Sequence, residues 1–256
     1  MNGKSRRSSL ALAALWVVAV LAGCSTLNYR DIQADFNAAV QADNVRTAES
    51  LGALTSSGSD ALYEGIRARL TDQRIAALDA RLRPNAYVIR AVAEWRTGKL
   101  AEARATALAG LKLPNVAGSA RDRMVLEMIP ALVIDEELVL RFKGAGSALS
   151  KQAYDQGYAA DFATAAAELG KVSGTLQPAT PISIVYYVHL QRWRVLQNWR
   201  IVISRIQDGP DARQAALEDA ARRLGARSLA DEIQREIDLV PPGEPIRKAM
   251  EALALR

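Results

Sequence analysis

An all-α fold follows from three features of the sequence. Ala, Leu, Arg and Glu abound, all strong helix formers, while β-branched runs are scarce and aromatics make up only 5% of the chain. Glycines and prolines stand far enough apart to leave room for helices of ten residues or more. Apolar residues recur three and four apart, and no stretch alternates apolar with polar residues as a half-buried strand would.

The first element is a leader. Lys4, Arg6 and Arg7 precede an apolar run from Leu10 to Leu21, followed by the small residues Ala22 and Gly23. This is the tripartite plan of a secretory signal, and the run is too short for a spanning helix of about 20 residues. With Cys24 directly after Leu21-Ala22-Gly23, the segment resembles the lipobox of bacterial lipoproteins. The resemblance implies a diacylglycerol on the Cys24 thiol, cleavage that removes residues 1–23, and a tether over residues 24–28. It also implies that Ser25, where an Asp would retain the protein at the inner membrane, sends it to the outer membrane. An ordinary signal peptide or an anchor helix with an incidental cysteine is the alternative. Cys24 is the chain's single cysteine, so an internal disulfide does not account for it.

Cleavage changes the charge balance. The full chain carries +5, but losing Lys4, Arg6 and Arg7 leaves 30 basic against 28 acidic residues, a net charge of +2 over 233 residues. Nucleic acid is therefore an unsuitable partner, since its recognition needs a clustered basic stripe.

The body opens with a helical segment over 29–42, with Ile32, Phe36, Ala39 and Val40 on one side. A second segment over 45–54 ends in the polar turn 55–60, where Asp60 is placed to cap the helix beginning near Ala61. That helix, or helix pair, runs to Pro84. Next, Val88, Ala91, Val92 and Trp95 share a face, Gly98 breaks the chain, and Leu100, Ala103, Ala107, Leu108 and Leu111 line a helix ending before Pro114. Here the chain resembles a tetratricopeptide (TPR) repeat, with Tyr87 at the opening aromatic position, Ala91, Ala103 and Ala107 at small positions and Gly98 in the turn. Arg90 and Glu94 depart from the pattern, standing where leucine and tyrosine are usual. A weaker match places Leu217, Ala221, Gly225, Ala230 and Pro242, with a capping helix over 245–255. Gly98 and Gly225 lie 127 residues apart, not a multiple of 34, so the implied solenoid is irregular.

Between these matches, Ser119 and Asp122 form a capping-box-like start. Pro130 predicts a kink or a break, residues 144–147 end that helix, and another spans 149–172. Two prolines and a glycine make residues 173–181 a hinge. A long helix over 182–206 follows, with Val195, Trp199, Val202 and Ile206 on one face and Arg194, Asn198 and Arg205 on the other. The domain plan is thus a TPR-like body over 29–172, the hinge, and a C-terminal helical subdomain over 182–256.

Chemical candidates are few. His189 is the single histidine, so a Ser-His-Asp triad and a multi-histidine metal site lack their parts; it reads as a packed or partly exposed helix histidine. Asp135, Glu136 and Glu137 are adjacent, point about 100° apart, and read as a solvated acidic face. No catalytic residue, metal ligand or cofactor is nameable. Tyr186, Tyr187, Trp193, Arg194, Trp199 and Arg200 form the one aromatic and arginine concentration; Trp199 reads as core, while Tyr187 and Arg194 fall on the more polar side, as contact residues do. Arg90 and Glu94 are placed to face either a concave groove or solvent.

The resemblances imply a periplasmic lipoprotein, held on its membrane by the lipid on Cys24, that binds envelope proteins or peptides as a scaffold or adaptor. Two other classes stay open. One is a carboxylate hydrolase acting on cell-wall glycan, which needs two carboxylates in one cleft. The other is a small-ligand component of a transport system, with an apolar pocket near Pro178.

Overall fold

The computed structural model describes residues 28–49, 59–146 and 148–254. Cys24, Ser25, the signal at 1–23, the end of the segment expected over 45–54 and most of the polar turn expected over 55–60 lie outside the described residues. Among the described residues the fold is all-α, with twelve α-helices. They are α1 (Tyr29–Glu49), α2 (Asp60–Arg69), α3 (Asp72–Ala76), α4 (Arg83–Arg96), α5 (Leu100–Leu111), α6 (Ala120–Gly144), α7 (Lys151–Gly157), α8 (Ala159–Gly174), α9 (Ile182–Ser204), α10 (Pro210–Leu224), α11 (Leu229–Asp238) and α12 (Pro245–Ala254).

Local chemistry sets many of their ends. Thr71, Ser150 and Ser228 each accept a hydrogen bond from the backbone N–H three residues on, which caps α3, α7 and α11. Pro84 sits in the first turn of α4 and Pro210 opens α10, where a missing N–H costs nothing. Gly98 and Gly225 turn the chain at φ +73° and +63°, in the left-handed region that favours glycine.

Four boundaries differ from expectation. α1 runs unbroken through residues 42–45. At α2, Asp60 is the first helical residue and Ser59 holds the cap position. α6 continues through Pro130, although that residue offers no N–H to the Leu126 carbonyl. The helix expected over 149–172 is instead divided at Tyr158, whose φ of −135° leaves the helical range. The Arg141 guanidinium donates to the Gly157 carbonyl, which a continuous helix would use internally, and packs over the Tyr158 ring at 5.7 Å.

α6 and α9 are the central helices. α6 packs on α4, α5, α8 and α9, while α9 packs on α6, α8, α10, α11 and α12. A shared apolar core extends from Tyr29 to Met250 and takes in residues from both sides of the expected hinge. The C-terminal helix α12 also touches α1. These contacts reach beyond chain neighbours, whereas stacked repeats touch only the next unit. The described helices do not show a TPR-like repeat as such. Gly110 marks the closest approach, where a Cβ would lie 2.8 Å from Tyr87 Cβ and 2.9 Å from Leu126 Cδ1, so α5 meets α4 and α6 through a residue without a side chain.

Candidate functional site

A cleft of about 330 Å³ opens where α2, α4 and α6 converge. Asp60 and Glu64 come from α2, Trp95 to Gly98 from the end of α4 and its turn, and Glu136 and Leu140 from α6. Three carboxylates and one guanidinium line it, and two of the carboxylates are also met from outside the lining, Glu64 by Arg67 at 2.7 Å and Glu136 by Arg194 at 3.8 Å. The left-handed turn at Gly98 stops α4 there, and Thr97 Oγ1 donates to the Ala93 carbonyl at 2.8 Å, closing that helix end.

The floor is braced from α9. Trp95 is 4% exposed, with the Arg96 guanidinium 4.9 Å and the Arg194 guanidinium 5.2 Å from its ring centre. Such stacking contributes about 0.5–2 kcal/mol. Arg194 is held by Asp135, donating from Nε at 3.2 Å and Nη2 at 3.0 Å, and lies 3.8 Å from Glu136. Asn198 donates to the other Asp135 oxygen at 3.0 Å. Asp135 is fully buried, which corrects its reading as part of a solvated face. Of three consecutive helical residues, one must point inward when the helix is enclosed, and here the inward one is an acid met by Arg194 and Asn198.

The second polar assembly joins α9 to α11. His189 Nδ1 lies 2.8 Å from Glu236 Oε2, and Arg192 donates both to Glu236 and, at 2.9 Å, to Glu232. All four are buried, Glu236 at 1% exposure. Each helix supplies its pair at a spacing that shares a face, 189 with 192 and 232 with 236. That complementary spacing was the available signal for Glu232, Glu236 and Arg192. The two carboxylates converge on Arg192 rather than on a cleft, so they lack the opening across which paired acids cleave a sugar.

A third network ties α1 to α4 and α6. Tyr29 Oη donates to Asn85 Oδ1 at 2.8 Å, Asn85 Nδ2 donates to Asp122 Oδ1 at 3.1 Å, and Ser119 Oγ donates to Asp122 Oδ2 at 2.6 Å. Ser119 thus serves Asp122 rather than the α6 backbone. Burial, reinforced by the Asp122 carboxylate, pushes the Tyr29 phenol above its ordinary range.

The remaining candidates are dispersed. Arg90 donates to Glu94 at 2.8 Å and pairs with Asp72; Glu94 is 2% exposed, with Oε2 buried and without a partner among the described residues. The pair therefore lies within the packing of α4. Tyr187 is half-buried against the core, and Arg194 packs on Trp95 behind the cleft without lining it. None of residues 173–181 lines that cleft. Among the described residues no group of three His, Cys, Asp or Glu side chains could hold a metal ion, and no helix is long and apolar enough to cross a membrane. No family model matches the chain, and neither curated proteins nor solved structures give a significant match to it.

Proposed function

We propose that the protein is a lipoprotein of the outer membrane, held on the periplasmic side through Cys24 and Ser25, whose helical body binds an envelope protein or peptide as a scaffold. The observation that carries the reading is the leader ending in Leu21-Ala22-Gly23-Cys24, with the chain's single cysteine at the lipidation position. Two acyl chains or more hold a protein on a bilayer where one does not. Binding rather than turnover is supported by the way the buried ionisable groups are engaged: Asp135 with Arg194 and Asn198, Glu236 with His189 and Arg192. The acidic cleft over Trp95 is the partner contact, and its chemistry suits a peptide bringing a Lys or Arg side chain, with the stem against Leu140 and the head among Asp60, Glu64 and Glu136.

Labelling with a radioactive fatty acid tests the anchor: the wild-type chain takes the label into the membrane fraction, whereas Cys24→Ala stays unlabelled and keeps residues 1–23. Cross-linking in detergent-solubilised membranes tests the cleft. The wild-type chain should elute with an envelope protein that Glu64→Lys and Glu136→Lys fail to retain. Elution of the wild-type chain alone at monomer mass removes the scaffold reading.

A further inference from the structure

The end of the body at which the chain enters α1 carries a surface of its own. Tyr29 and Gln33 reach Asn85 at 2.8 and 3.1 Å, Asn85 reaches Asp122, and Asn115 donates to the Ala80 carbonyl. These bonds gather five parts of the chain at one end: the start of α1, the 3-10 turn Ala80–Leu82, the start of α4, the loop after α5 and the start of α6. Arg30, Arg81, Lys112 and Arg121 are all exposed there. Leu82 stands among them 39% exposed, an apolar side chain beside Arg81. Asp31 and Asp79 are exposed acids of the same end; Asp79 and Arg81 bridge each other at 3.1 Å, which leaves Arg30, Lys112 and Arg121 against Asp31. α1, α4 and α6 begin at this end while α5 finishes there, so three helix N-termini add positive potential and one C-terminus offsets part of it.

We infer that this end is a membrane-facing surface that recognises an anionic phospholipid layer, with Arg30, Lys112 and Arg121 on the headgroups and Leu82 at the acyl boundary. The inference rests on lipidation of Cys24. From Cys24 to Tyr29 the chain spans at most about 18 Å, so an acylated Cys24 keeps this end beside the bilayer. Basic residues around an apolar side chain are the composition that binds an anionic interface. α6 runs roughly 30 Å from Ala120 to Leu140, which puts the acidic cleft at the far end, away from like-signed headgroups and open to a partner.

The experiment uses the full lipidated chain in vesicles. Acylation blocks Cys24, so Leu82→Cys or Leu140→Cys supplies the only free thiol for an environment-sensitive fluorophore. Quenchers are attached to the lipids, and vesicles contain either phosphatidylcholine alone or phosphatidylcholine with phosphatidylglycerol. The expected result is strong quenching at position 82 in anionic vesicles, weak quenching there in phosphatidylcholine, and none at position 140. Combining Arg30→Glu, Lys112→Glu and Arg121→Glu should return position 82 to its phosphatidylcholine level. Equal quenching at 82 in both vesicle types, or stronger quenching at 140 than at 82, overturns the inference while leaving the lipoprotein reading intact. An unacylated Cys24, read from the intact mass, overturns both.

Discussion

Glu236 holds the Arg192 guanidinium and the His189 ring at once in a space almost closed to water, and substitutions there separate structural from surface charge. Removing one member of a buried, hydrogen-bonded charge group strands the others and costs about 3–5 kcal/mol. Glu236→Ala should lower stability by that amount in urea unfolding, because it leaves Arg192 with Glu232 alone and His189 without its partner. Arg67→Ala removes an exposed i,i+3 bridge to Glu64 and should cost under about 0.5 kcal/mol. Alkali acts through the raised phenols, of which Tyr29 and Tyr154 are shifted furthest. Burial pushes Tyr29 and Tyr154 above the ordinary tyrosine value of 10.0, and at Tyr154 it outweighs the Trp199 indole N–H donating to its oxygen. A raised acid favours the fold while protonated, so stability is fully present below pH ~10 and falls as pH rises above it, where the unfolded chain ionises first. Tyr29→Phe should soften that alkaline loss, measured by unfolding at pH 8 and pH 11 with tyrosinate absorbance as the titration signal.

At the scale of elements, two glycines in helices should respond oppositely to the same substitution. A Cβ at Gly65 meets nothing within 4 Å, so Gly65→Ala should stabilise α2 by about 0.5–1 kcal/mol through helix propensity and reduced chain entropy. At Gly110 the added methyl meets the Tyr87 Cβ, which is fixed to the α4 backbone and cannot swing aside. Gly110→Ala should therefore destabilise by about 1–3 kcal/mol despite its better propensity, and parallel thermal melts of the two variants decide the sign. The same division between local and tertiary causes explains what was legible beforehand. The turns at Gly98 and Gly225, the helix opening at Pro84 and the face shared by Val88, Ala91, Val92 and Trp95 rest on neighbours in the chain and could be read from it. The break at Tyr158 depends on Arg141, and the inward turn of Asp135 depends on Arg194 and Asn198, residues supplied from other parts of the chain. Composition and spacing carry no record of such meetings. The cleft was illegible for that reason too: its acids come from α2 and α6 and its aromatic floor from α4.

Across the whole molecule, α12 makes the N-terminal and C-terminal helices interdependent. Met250 is fully buried, Gln197 donates to the Leu253 carbonyl at 3.1 Å, Arg200 donates to Ala254 at 2.9 Å, and α12 rests against α1. Deleting residues 245–256 should therefore loosen α1 as well as α9. Hydrogen exchange should quicken in residues 29–42 of the truncated protein while α5, which has no α12 contact among the main packing pairs, keeps its protection. Unchanged exchange in α1 would show that its seat on α2 suffices. The acidic cleft and the basic entry end also lie at opposite ends of α4, whose Pro84 and Trp95 are roughly 16 Å apart along the axis.

The contact between α1 and α12 also sets a schedule. Ribosomes make α1 first among these helices and α12 last, so part of the α1 surface waits uncovered while roughly 200 further residues are added, some 10–40 s at bacterial and eukaryotic rates. During that interval α1 has α2 and, through Tyr29 and Gln33, Asn85 of α4 to rest against, but not yet α12. The fold therefore closes end to end only when its final helix arrives.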